Sequence, residues 1–235
     1  MSHDWRGSGV TKHTSENGWR VSLAFSNIGL AGKAFSGKRW NEHKKVLVQL
    51  FTELLKNEVK GVLLNEVGNM DDLLTPESRN RLESALGEAF EKAGAIKHGP
   101  PQFFWSKGET MAAFRHEVKV RNLEPLTRMD RVKSWRVVER FVLESGKEYG
   151  SISILIYNNH QPKSDKRPFK PASQIDFCKA VIRDAIQYCD ENEQCAGYGF
   201  GGDANCGIGI WSMAFQETPE PVSYTHLTLP TKRIV

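Results

Sequence analysis

Short apolar runs of strand length, alternating with helix-length amphipathic stretches, constrain this chain more than any other feature. Gly61–Leu64 reads GVLL, a run of the kind found in strands buried on both faces, and it delivers Glu66 at its end. Val21–Ser26 (VSLAFS) mixes β-branched, aromatic and small residues, as strands do, and stops at Asn27 before a glycine-containing loop to Gly37. Ser151–Tyr157 (SISILIY) leads into Asn158-Asn159-His160, and Tyr198–Phe200 leads into Gly201-Gly202-Asp203-Ala204-Asn205. Phe103–Trp105, Met111–Phe114 and Trp135–Leu143 are further candidate strands. Between them, Asn41–Asn57 repeats Val46, Leu47, Leu50, Phe51, Leu54 and Leu55 at helical spacing. Thr75-Pro76-Glu77 opens a second helix, with Thr75 as N-cap and proline in the first turn. Ser173–Cys189 is a third, striped by Ile175, Cys178, Val181, Ile182, Ala185 and Ile186. Helices set among clustered strands predict an α/β (α+β) fold of layered sheets covered by helices.

The length of 235 residues suits one domain, and 39% hydrophobic with 26% charged residues is an ordinary globular balance. Residues 1–18 are polar and read as a flexible leader, and 19–221 as the domain. Within the tail 222–235, the stretch VSYTHLTLPT resembles the translation of a sequencing-library transposon adapter, so the tail is set aside as non-native and His226 is given no role. The start of the chain lacks the apolar segment of a signal peptide, and no apolar run approaches the roughly 20 residues that span a bilayer. The expectation is therefore an intracellular protein of cytoplasm or nucleus. Cys178, Cys189, Cys195 and Cys206 form no CxxC pair, so they read as reduced, partly buried thiols rather than a disulfide framework or a zinc site. A net charge of +4 permits an anionic substrate without the dense basic stripe that would by itself signal nucleic acid.

The polar residues at the strand ends, Asn27, Glu66, His160, Asp203 and Asn205, form the candidate site. Strand ends in layered sheets converge on one edge, where ligands bind. Hydrolysis of a phosphate ester needs a divalent cation, an activated water and neutralisation of charge on the phosphoryl oxygens. Carboxylate and amide oxygens suit Mg²⁺ (or Mn²⁺), a histidine can hydrogen-bond phosphoryl oxygens, and an aspartate can orient or deprotonate water. Each residue also has a plainer reading. Glu66 could be a solvated loop residue, His160 a structural histidine capping a loop, Asn27 a loop residue beside Gly29, and Gly201–Asn205 a turn. Asn158 and Asn159 are not separable by sequence. Lys163–Lys170 (KSDKRPFK) reads as a solvated loop, with a phosphate-backbone contact as the alternative, and Trp105, Trp135 and Trp211 read as core.

Four segments resemble, in order, motifs of the endonuclease/exonuclease/phosphatase (DNase I-like) superfamily: SNIGL at 26–30, LLNEVG at 63–68, NNHQPKSD at 158–165 and GGDANC at 201–206. The resemblance implies a two-sheet β-sandwich flanked by helices. It implies Glu66 as metal ligand aided by Asn27, and catalytic roles for Asn27, His160, Asp203 and Asn205. The activity it implies is a metal-dependent phosphodiesterase or nuclease, acting as a monomer on nucleic acid or another phosphoester. A non-catalytic binding module and a phosphomonoesterase of lipid or inositol phosphates are the alternatives. Asn65 stands where glutamine is usual, and Ala204 where an aromatic or apolar residue is usual. No residue before Pro221 matches the family's closing Asp-His pair, so the sandwich is expected to be incomplete at its C-terminus and the fragment impaired.

Overall fold

A computed structural model of the chain describes residues 8–14, 18–30, 37–56, 58–67, 75–106, 110–126, 138–160, 171–203 and 208–218. Two sheets stack face to face. The first has the order β1-β2-β3-β5-β4, from Ser8–Thr14 (β1), Arg20–Leu30 (β2), Gly61–Val67 (β3), Gln102–Trp105 (β4) and Thr110–Phe114 (β5). The second runs β6-β7-β8-β9, from Lys119–Leu126 (β6), Val138–Glu144 (β7), Ser153–His160 (β8) and Cys195–Asp203 (β9). Two pairs are parallel, β2 with β3 and β8 with β9; the other pairs are antiparallel. Helices Gly37–Lys56 (α1) and Pro76–Lys92 (α2) cover the first sheet, and Pro171–Glu191 (α3) and Ile208–Gln216 (α4) the second.

Strand alternation sorts the apolar residues into three layers. Val21, Leu23, Phe25, Leu63, Ala112, Phe114, Phe141, Leu143, Ile154 and Ile156 fill the space between the sheets. There Phe104, Phe114 and Phe141 meet edge to face, with ring centroids 5.4–5.8 Å apart, the arrangement that aromatic quadrupoles favour. The opposite strand faces, with Ala24, Val62, Leu64 and Met111, pack against Leu47, Phe51 and Leu55 of α1 and Leu82, Leu86 and Phe90 of α2. Val142, Leu155, Tyr157 and Phe200 do the same under Val181 and Ile182 of α3 and Trp211 of α4. β3 is thus buried on both faces, which is why its sequence lacks alternation.

Polar contacts fix how the helices dock. Asp184 of α3 accepts two hydrogen bonds from the Arg140 guanidinium, at 2.9 and 3.0 Å, and a third from the Tyr157 hydroxyl at 2.6 Å. Thr75 caps α2, its hydroxyl accepting from the Ser78 N–H at 3.2 Å. Arg115 donates to the carbonyls of Leu55 and Val59, satisfying the C-terminal end of α1.

The structure departs from the sequence reading in three elements. Residues 8–14, within the stretch expected to be a loose leader, form the edge strand β1. An edge strand has one neighbour and need not be apolar, so its polarity misled. β6 was missed for the same reason: it is an edge strand that is largely exposed and even contains Pro125. α4 has only nine residues and was read as no helix, although Trp211 is core as expected. Trp135 and the Lys163–Lys170 run lie outside the described residues.

Gly201 and Gly202 are strand residues rather than turn residues. A Cβ on Gly201 would overlap the Phe25 ring of the facing sheet. Gly201→Ala is expected to lower stability by about 1–3 kcal/mol through overpacking, seen as a lower urea midpoint with an unchanged slope. An unchanged midpoint would show that β9 does not lie against Phe25.

Candidate active site

The inner faces of both sheets turn from apolar to polar at one rim. Beneath the rim, Phe25, Leu63 and Ala112 lie side by side in one sheet, and Phe141 and Ile156 in the other. Two residues further along each strand, the registers align Asn27, Asn65 and Thr110 in one sheet and Glu139 and Asn158 in the other. All five are buried. The Asn65 amide donates to Asn158 Oδ1 at 3.1 Å, and the Asn158 amide donates to the Leu64 carbonyl at 3.3 Å. These bonds join the two sheets where the apolar filling stops. They also separate the two adjacent asparagines: Asn158 faces the other sheet. Asn159 is 1% exposed, with neither Oδ1 nor Nδ2 hydrogen-bonded.

Both strands of the parallel pair β2–β3 bend at the rim. Gly29 has φ +55° and Glu66 φ +54°, and their register shifts between Asn27 and Leu30. Glu66 holds a left-handed conformation that a residue with a Cβ enters only at some strain. The bend breaks alternation: Leu64 and Val67 both lie in the α1–α2 core, so Asn65 and Glu66 both turn away from it. Such a bulge re-aims a side chain at a sheet end. Glu66 is partly exposed, and a Cβ on Gly29 would stand 3.7 Å from Glu66 Oε2, in ordinary van der Waals contact, so Gly29 and the carboxylate are neighbours. Asn27 Oδ1 accepts from the Gly29 N–H at 3.1 Å, which orients the amide at the bend.

On the second sheet, His160 and Asp203 are register partners at the ends of the parallel strands β8 and β9. At the previous register position a Cβ on Gly202, which has φ +104°, would overlap the Asn159 carbonyl and stand 2.9 Å from Asn65 Oδ1. The backbones that carry His160 and Asp203 therefore reach the same rim as Asn27 and Glu66. The side chains of His160 and Asp203, and Asn205 altogether, lie outside the described residues.

Sequence reasoning missed Glu139. It is 4% exposed, and burial pushes its carboxyl up to about 7, against hydrogen bonds with the Thr110 and Ser106 side chains that favour the charged form. Its Oε2 has no hydrogen bond. The signal was available, because position 139 shares strand parity with Phe141 and Leu143, which both point between the sheets.

The donor chemistry suits a hard divalent cation. Glu66 and Asn27 offer a carboxylate and an amide oxygen, both beside Gly29. Among the described residues no three of His, Cys, Asp and Glu gather.

Two stacked sheets flanked by helices, with two parallel strand pairs ending at one rim, make this the DNase I-like endonuclease/exonuclease/phosphatase fold. Among solved structures the chain is similar to SmcL, at 15% identity and TM-score 0.50, over 88% of this chain and 68% of that one. It is similar to the human Nocturnin catalytic domain with bound sulfate, at 15% identity and TM-score 0.49, over 91% of this chain and 73% of that one. It is also similar to Caenorhabditis elegans TDP2, at 13% identity and TM-score 0.46, covering 77% of this chain. The chain spans about half, 47%, of that TDP2 chain. No family model and no curated protein matches the sequence. The resemblance drawn from four short motifs thus holds at the level of the fold. Among the described residues no helix is long and apolar enough to cross a membrane.

The raised carboxyl of Glu139 gives a pH signature. Below its ordinary value of 4.5 the group is protonated whether folded or unfolded; between 4.5 and about 7 the folded chain binds more protons. Stability therefore falls as pH rises across that window, by about 3 kcal/mol at about 1.4 kcal/mol per unit, and is level above it. Glu139→Gln, neutral throughout, is expected to lack this decline in urea melts across the window. Identical slopes in both proteins would rule out a buried carboxyl at position 139.

Proposed function

We propose that the chain is a divalent-metal-dependent phosphoester hydrolase, most simply a phosphodiesterase or nuclease acting on nucleic acid. The supporting observation is the convergence of Asn27, Glu66 and the strand ends bearing His160 and Asp203 on one rim, tied by the Asn65–Asn158 bond. In this reading Glu66 and Asn27 hold Mg²⁺ or Mn²⁺, and the ion would supply Lewis-acid stabilisation of the phosphoryl oxygens. The bend at Glu66 turns its side chain away from the α1–α2 core. His160 donates a hydrogen bond to the phosphoryl oxygens as charge develops there. Asp203 and Asn205 orient the attacking water, Asp203 accepting its proton. The net charge of +4 favours an anionic substrate, which acts as a monomer's sole partner in this scheme.

Glu66→Gln separates this reading from a purely structural role. Glu66 is partly exposed and contributes no core packing, so the variant is expected to keep its urea midpoint within about 0.5 kcal/mol. Calorimetry with Mn²⁺ should show binding to the parent protein and at least about a tenfold loss in the variant. Hydrolysis of bis(p-nitrophenyl) phosphate and plasmid DNA should require the metal and fall roughly a hundredfold or more, in line with loss of a principal charge-stabilising group. Equal Mn²⁺ binding by both proteins would remove Glu66 as a ligand. Binding without any turnover would leave a non-catalytic binding module on the same fold.

A further inference from the structure

The end of the sandwich opposite the rim holds a pair of thiols that the proposed hydrolysis does not use. Cys189 sits in the last turn of α3 and Cys195 opens β9, and their sulfurs lie 2.6 Å apart. That approach is closer than side-by-side packing of two thiols allows and not far beyond the roughly 2.05 Å of a disulfide bond. The connecting turn is held in place from three sides. The Cys195 N–H donates to the Asn192 carbonyl at 2.8 Å, the Asn192 amide to the Tyr188 carbonyl at 2.7 Å, and the Ser153 N–H to the Gln194 carbonyl at 2.7 Å. Both thiols are partly exposed, whereas Cys178, on α3 itself, is buried in the core.

The two sulfurs are not equivalent. The hydrogen bond from Cys189 is the main reason that the Cys195 thiol is held down, at about 7, with burial opposing it. The same bond, together with burial, pushes the Cys189 thiol up. The pair is thus biased in opposite directions, Cys195 towards the thiolate that attacks in thiol–disulfide exchange and Cys189 towards the thiol.

We propose that Cys189 and Cys195 form a reversible disulfide by exchange with a small-molecule disulfide, Cys195 attacking and Cys189 resolving. The Cys195 thiolate attacks one sulfur of the small disulfide, forming a mixed disulfide and expelling a small thiolate. Cys189 then attacks the Cys195 sulfur and expels the second small group, its own proton going to one of the two small thiolates. The protein pair is oxidised by two electrons, and the small disulfide is reduced to one thiol and one thiolate. The cross-link would tie the end of α3 to the start of β9. It lies at the far end of β8 and β9 from His160 and Asp203, so it stands apart from the proposed hydrolysis and its test.

The test treats the full chain with oxidised glutathione at neutral pH, followed by intact-mass and peptide mass spectrometry without reduction. The expected product is a cross-linked peptide joining Cys189 to Cys195, reversed by dithiothreitol and formed at least about tenfold faster than any adduct on Cys178. Cys189→Ser should stop at one glutathione on Cys195, whereas Cys195→Ser should leave Cys189 largely unmodified. Oxidation at Cys178 or Cys206 ahead of the pair, or glutathione remaining on Cys195 without resolution in the parent chain, would overturn the proposal.

Discussion

The hydrogen bond between Asn65 and Asn158 governs how the two sheets meet at the rim. Facing sheets stand about 10 Å apart, so something from each must fill the gap. Below the rim aromatic rings do so, with Phe25 and Phe114 from one sheet and Phe141 from the other. One row further on the inward residues are polar and water is already excluded, so each amide must find a partner in the protein or lose about 1–3 kcal/mol. Two short amides solve both problems, Asn65 donating across the gap to Asn158 and Asn158 donating back to the Leu64 carbonyl. Asn65 therefore has a structural reason to stand where the superfamily resemblance led to glutamine. Gly202 gives that amide room, since a Cβ there would stand 2.9 Å from its oxygen.

The main strands and helices were legible because their signals are strong and local. β3 betrays double-sided burial in GVLL, α2 announces its start with Thr75-Pro76, and α1 repeats its apolar residues at helical spacing. The edge strands β1 and β6 and the nine-residue α4 were not, since an edge strand need not be apolar and a helix of nine residues is too short to show a clear period. Boundaries erred most at the rim. The strands β2, β8 and β9 were ended early at Asn27, Tyr157 and Phe200, yet each continues through its polar residues. Polarity there marks the change from apolar filling to rim chemistry, not the end of pairing. Glu139 lies within a candidate strand but was given no role, although its parity with Phe141 placed it inside.

The rim carries costs that the rest of the structure must offset. Glu66 in the left-handed region and the unpartnered Asn159 amide each cost on the order of 1–3 kcal/mol. The buried Glu139 carboxyl adds to this wherever it is ionised. The opposite end carries strain as well, at Glu58 with φ +59° and Ser151 with φ +54°, while Arg115 there satisfies the carbonyls of Leu55 and Val59 and Gln194 accepts from Ser153. The aromatic filling and the helix layers hold the sheets in place while both ends depart from local preference. That support lets β3 bend at Glu66 and turn two consecutive residues, Asn65 and Glu66, away from the helix core.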